Sequence, residues 1–152
     1  MLTAAMVGRI RRQRARNAPL AAANGVADVV RRNDQLALAD ELMREGGIRH
    51  LVVLEADELP CAVLSQRDIF RGALMRALGF GGRAEERVLK QVVVKEAIGG
   101  ELYTIAPDAP VAEAARAMLD KHVSCLPVLE DGKLVGIVTA TDLVRLVADA
   151  KQ

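Results

Sequence analysis

The chain has 152 residues, 51% of them apolar, with 21 Lys and Arg against 20 Asp and Glu and a net charge of +1. That length suits one compact domain or two closely packed halves, with apolar residues enough for a core. The near balance of charge lacks the basic excess of a nucleic-acid binder, and no apolar run approaches the length that spans a bilayer.

Residues 1–25 form an N-terminal basic segment. Arg9, Arg11, Arg12, Arg14 and Arg16 crowd together, and no acidic residue precedes Asp28. The spacing of Leu2, Met6 and Ile10 allows an amphipathic helix. Three readings stay open: a solvated helix packed on the rest of the chain or on a dimer partner, a contact to phosphates, or an Arg-rich targeting peptide.

Residues 26–30 read as a strand. Residues 36–45 read as an amphipathic helix, stopped by Gly46-Gly47, which can take the left-handed conformation after a helix end. A strand, a turn and a second strand follow, and Ser65 opens a helix running to about residue 78. Gly79-Phe80-Gly81-Gly82 breaks that helix; residues 83–91 read as polar and helical, and with the glycines they form the connection between the halves, a surface linker over 79–91. Residues 92–98 read as a short strand or turn leading into a helical turn. Residues 103–105 read as a strand matching 26–30. Pro107-Asp108 marks a break, and Pro110 suits the first turn of a helix over 111–119, because its missing N–H has no partner there anyway. His122, beside Lys121 at that helix end, reads as a dipole partner or a surface residue. Leu126, Val128 and Leu129 form an apolar strand. Asp131-Gly132 is a hairpin signal, since such turns need positive φ. Residues 134–138 are its return strand, and a helix from 141 to about 148 follows.

The chain repeats itself. Leu36, Ala39, Leu42 and Met43 have the spacing of Val111, Ala114, Ala117 and Met118, an offset of 75 residues. At Ser65 and Thr139 the offset is 74, so one residue has been gained or lost between Glu55 and Ala62. A period this long, present twice, is not a solenoid. Each copy ends its strand pair in a hydroxyl-x-x-Asp turn: Ser65 with Asp68, and Thr139 with Asp142. At a helix start the hydroxyl can cap and the carboxylate can reach back to the backbone. The turn is a helix cap first. It can also present free N–H donors to phosphate or ribose oxygens.

Catalysis finds little support. No Cys-His or Ser-His-Asp arrangement stands out, and the glycine pairs follow neither a dinucleotide fingerprint nor a P-loop. Cys61 and Cys125 lie apart in apolar strands without neighbouring Cys or His. They are poor metal ligands, and a reduced, cytoplasmic setting is the plainer expectation.

The stretches LADELMREGGIRHLVVLE with AVLSQRDI, and TIAPDAPVAEAARAML with CLPVLEDGKLVGIVTATDL, each resemble a CBS motif, named after cystathionine β-synthase. The tandem pair resembles a Bateman module. The first copy departs from the second at Arg32, where the second has Pro107, and at Val52, where it has Pro127. The resemblance implies an α+β fold of two βαββα-like subdomains about a pseudo-twofold axis, with a first motif over 26–78 and a second over 92–152. It implies that Asp68 and Asp142 accept hydrogen bonds from ribose, with Ser65 and Thr139 beside them. It also implies that Arg49, His50 and Arg67 face phosphates in the central cleft; their counterparts Ser124, Cys125 and Thr141 are uncharged. Three solvated surface charges is the competing reading of the basic set.

The function expected from this resemblance is a non-catalytic regulatory module. It would bind AMP, ADP, ATP or S-adenosylmethionine in the clefts between the motifs. It would form a homodimer through the exposed, Ala- and Leu-rich faces of the 36 and 111 helices, and pass its output to an effector protein or through dimer geometry. The rival is a structural dimerisation module without ligand. Neither reading involves a membrane, and nucleic-acid contact is disfavoured.

Overall fold

The computed structural model describes residues 29–77 and 89–150. The N-terminal basic segment and residues 78–88 lie outside the described residues. Two compact units divide the chain between Leu102 and Tyr103.

In the first unit, β1 (Val29–Arg31) leads to α1 (Leu36–Gly46), β2 (His50–Leu54), β3 (Pro60–Ser65) and α2 (Gln66–Ala77). β2 is central, parallel to β1 and antiparallel to β3. α1 places Leu36, Ala39 and Met43 on one buried face at helical spacing. They pack with Val30, Leu51, Val53, Leu64 and Ile69. Gly47 closes the helix in the left-handed region, with φ 58° and ψ 33°.

The second unit carries α3 (Val111–Lys121), β4 (Cys125–Glu130), β5 (Lys133–Thr139) and α4 (Ala140–Asp149). Its core repeats the first by position. Ala114, Met118, Leu126, Val128 and Val138 are buried together, where the first unit buries Ala39, Met43, Leu51, Val53 and Leu64. The backbone repeats too. Gln35 and Pro110 are the N-caps of their helices, at φ −68°, ψ 141° and φ −62°, ψ 145°. Pro110 therefore precedes the first helical turn instead of lying in it.

Both hairpins shift register at one place, between Val53 and Leu54 and between Val128 and Leu129. The unpaired residues are Cys61 and Val135, so the bulge is shared. The extra residue of the first copy lies in the turn. Five residues separate Leu54 from its partner Pro60, and four separate Leu129 from Leu134. Asp131 and Gly132 both have positive φ, 50° and 76°, the geometry of a two-residue hairpin.

Two expectations change. Residues 103–105 do not form a strand; Ile105 makes a single parallel bridge to Val128. Its N–H donates to the Pro127 carbonyl at 3.0 Å and its carbonyl accepts from Leu129 at 2.9 Å. Pro107, two residues on, has no N–H to extend the ladder. Second, Leu89 does not lie at the surface: residues 89–91 are helical, with Lys90 and Gln91 exposed and Leu89 buried. The start of the second motif at residue 92 is a boundary of sequence, and the packing runs across it. Val92 and Val94 are buried in the first unit's core. Leu36 N–H donates to the Val92 carbonyl at 2.8 Å, and Val94 N–H to the Asp34 carbonyl at 2.9 Å. A short 3-10 turn, Val94–Glu96, follows.

Candidate functional site

Each unit ends its strand pair in a capped helix start. In the first, Ser65 Oγ donates to Asp68 Oδ2 at 2.6 Å, and Ser65 N–H donates to the same oxygen at 2.8 Å. Asp68 N–H returns a bond to Ser65 Oγ at 3.2 Å. In the second, Thr139 Oγ1 and N–H donate to Asp142 Oδ2 at 2.8 and 2.9 Å, and Asp142 N–H donates to Thr139 Oγ1 at 3.3 Å. This is a capping box with Asp in place of Glu or Gln. Both aspartates spend only Oδ2 on the cap. Oδ1 of each accepts no hydrogen bond among the described residues.

A backbone bond anchors each helix start to the neighbouring strand. Gln66 N–H donates to the Arg49 carbonyl at 2.9 Å, and Ala140 N–H donates to the Ser124 carbonyl at 2.9 Å. His50 lies opposite Ser65, and Cys125 opposite Thr139. The strand start and the helix start thus meet at one point in each unit. Gln66 and Ala140 are members of this geometry that sequence reasoning passes over. Their signal is only their position directly after the capping hydroxyl.

The electrostatics follow. Burial, and then the neighbouring Arg49 charge, push the His50 imidazole below its ordinary 6.5, with Asp68 opposing. Burial, and then Asp142, push the Cys125 thiol far up, so it stays protonated. Arg49, His50, Ser65 and Asp68 are therefore brought together. Arg67 and Thr141 lie exposed on the first turns of α2 and α4. Neither Arg49 nor Arg67 is held in an ion pair among the described residues. No group of His, Cys, Asp and Glu there could hold a metal, and no helix there is long and apolar enough to cross a membrane.

The family profile described as CBS domain matches residues 91–149. An uncharacterised protein of Methanopyrus kandleri is 30% identical over 105 residues, 68% of this chain and 49% of that protein. The chain thus spans about half the length of that curated relative, and less of the next. A solved structure named as a candidate signal-transduction protein with CBS domains, from Burkholderia ambifaria MC40-6, aligns with TM-score 0.68 and 27% identity. The alignment covers 82% of this chain and 85% of that one. The CBS domain pair of protein MJ0100, solved in complex with 5′-methylthioadenosine and S-adenosyl-L-methionine, aligns with TM-score 0.63 over 81% of this chain and 90% of its own. At 21% identity that likeness shows the fold. With the same strand pair and the same capped helix start in both units, and a CBS match over the second, the chain belongs to the CBS-domain proteins as a pair of CBS motifs.

Proposed function

We propose that the chain is a non-catalytic regulatory module whose capped helix starts hold adenosyl ligands: AMP, ADP, ATP or S-adenosylmethionine. The observation that carries this reading is the unused Oδ1 of Asp68 and of Asp142. A carboxylate that caps through one oxygen keeps the other for the two hydroxyls of a ribose, and charge-assisted bonds of that kind are the strong ones. Ser65 and Thr139 stand beside the sugar. Arg49 and Arg67 supply positive charge for phosphate, His50 stands beside them as an imidazole, and Thr141 offers a hydroxyl. The ligands of the MJ0100 domain pair belong to the same adenosyl class. Output passes to an effector protein or through a homodimer. Two free thiols suit a cytoplasmic setting.

Thermal unfolding with and without each ligand tests this. A ligand bound only by the native state, present at a hundred times its Kd, adds about 2.7 kcal/mol, a shift of several degrees. An unchanged melting temperature across all four ligands rejects the reading. It would leave the rival, a structural dimerisation module. That rival has its own support: Phe70 and Leu74 on α2, and Val144 and Val147 on α4, are 60–68% exposed.

A further inference from the structure

Residues 92–95 close the edge of the first unit at the start of α1. Leu36 N–H donates to the Val92 carbonyl at 2.8 Å, and Val94 N–H and Lys95 N–H donate to the Asp34 and Arg32 carbonyls at 2.9 Å each. Gln35 and Val93 form an antiparallel bridge between these bonds. Val92 and Val94 are buried in the first core, with Ala97 and Ile98 packed against it.

The second unit has the same edge at the start of α3. The offset of 75 puts Val111, Ala109 and Pro107 at the places of Leu36, Asp34 and Arg32. Pro110 has nearly the dihedral angles of Gln35, so the Val111 N–H and the Ala109 carbonyl lie along the edge as those of Leu36 and Asp34 do. A proline fits there because the bridge draws its bonds from the flanking residues and not from the Gln35 N–H. Among the described residues, neither the Val111 N–H nor the Ala109 carbonyl has a hydrogen-bond partner. Ala109 is buried, and folded chains rarely leave a buried backbone group unpaired. The side chains agree. Leu36 and Ile69 are 0% and 3% exposed, whereas Val111 and Leu143 at the same places are only partly buried. All described members of the second core lie between Tyr103 and Leu143, so none stands where Val92 and Val94 stand in the first.

We propose that the edge at Ala109–Val111 is a docking site for this chain's own N-terminal segment, residues 18–21. The repeat points to that stretch: Ala18-Pro19-Leu20-Ala21 precedes Gly25 much as residues 92–95 precede Gly100. Pro19 sets the register. Val94 uses its N–H in the bridge and Val93 does not, so a proline can stand only at the place of Val93. The Ala18 carbonyl then accepts the Val111 N–H, Leu20 N–H donates to the Ala109 carbonyl, and Ala21 N–H donates to that of Pro107. Leu20 brings an apolar side chain to the place of Val94. The chain length suits this. Ten residues separate Val94 from Ile105, and nine separate Leu20 from Val30. The basic segment is thereby a structural part of the second unit, and the Arg9 to Arg16 run is held beside that edge.

Amide hydrogen exchange of the full chain tests this at Val111, a first-turn donor that no intrahelical carbonyl can protect. In the wild type its amide is expected to be protected as that of Leu36 is. Leu20→Asp is expected to speed its exchange by about tenfold or more, from the lost burial of one leucine, with Leu36 unchanged. If Leu20→Asp also strips protection from β4 and β5, the proposal still gains, because a leucine in solvent could not do that. Fast exchange at Val111 in the wild type, or the same rate in Leu20→Asp, overturns it. Protection at Val111 that falls on dilution assigns the edge to the segment of a second copy, and overturns it too.

Discussion

Asp68 and Asp142 each cap a helix through Oδ2, and the ligand role proposed for Oδ1 separates from that cap by measurement. Removing a cap of this kind costs about 0.5–2 kcal/mol. Asp142→Ala should therefore lower the stability read from urea unfolding by that amount, whether or not ligand is present. If Oδ1 holds ribose, the same variant also loses affinity in titrations run well below its melting temperature. A stability loss with unchanged affinity assigns Asp142 to capping alone. His50 gives a second residue-scale outcome. Its imidazole lies below the ordinary 6.5 in the folded chain, so between those two values the unfolded chain binds more protons. Stability contributed by neutral His50 is complete above 6.5 and is lost as pH falls through the window beneath it. Urea unfolding between about pH 7.5 and about pH 5.5 should show this loss, and His50→Asn should flatten the slope. An identical slope in the variant overturns the assignment. The hydroxyl-x-x-Asp pattern is legible in the sequence because a capping box is local. The direction of the His50 shift is not, because it comes from burial and from Arg49 and Asp68, which only the fold brings to one place.

At the scale of elements, periodicity carries most of the reading. The buried faces of α1 and α3 follow from residues three and four apart, and Asp131-Gly132 names its own turn. The five-residue turn of the first hairpin is only bracketed by the sequence, because its left-handed residue is Glu58, at φ 67°, and not a glycine. The single Ile105 bridge reads as a strand from sequence, since one β-branched residue near a proline carries no period to correct it. The end of α3 shows the same limit. His122 occupies the left-handed C-cap at φ 55° and ψ 39°, the position that Gly47 fills in the first unit. A non-glycine residue pays roughly 1–2 kcal/mol in that region, and glycine returns about 0.5–1 kcal/mol through its freer unfolded chain. His122→Gly should therefore stabilise the chain by about 0.5–1 kcal/mol, read as a higher urea midpoint. A lower midpoint would mean that His122 makes a contact worth more than its strain.

At the scale of the whole molecule, association and organisation both depend on faces the sequence only partly reveals. Sequence alone places the homodimer contact on the exposed, Ala- and Leu-rich faces of the 36 and 111 helices. The opposite faces of these helices, with Leu36, Ala39, Met43, Ala114 and Met118, are buried in internal cores. Apart from Leu119, the large apolar side chains left exposed on described helices are on α2 and α4: Phe70, Leu74, Val144, Leu146 and Val147. If the chain self-associates, Phe70→Glu with Val144→Glu should shift sedimentation toward the monomer. Charge reversal at Glu41 and Arg44, exposed on α1, should not. Equal behaviour of both variants would remove α2 and α4 as the interface.

The position of the unit boundary leads to a sharper consequence. Residues 91–149 match one CBS domain, yet Val92 and Val94 belong to the core of the preceding unit, with 3% and 0% exposure. The backbone explains how. The Val92 carbonyl accepts the Leu36 N–H at the start of α1, a donor that no intrahelical carbonyl can reach. Val94 N–H and Lys95 N–H donate to the Asp34 and Arg32 carbonyls, each at 2.9 Å. The segment thus closes the first unit, although its sequence is read as the opening of the second motif. Val94→Ala removes two methyl groups from a site where they are fully buried, at about 1–2 kcal/mol from transfer alone. Hydrogen exchange should then quicken at the amides of α1, first at Leu36 and Leu38, while those of β4 and β5 keep their protection. Loss of protection in β4 and β5 with α1 unchanged would return the segment to the second unit and move the boundary back to residue 91.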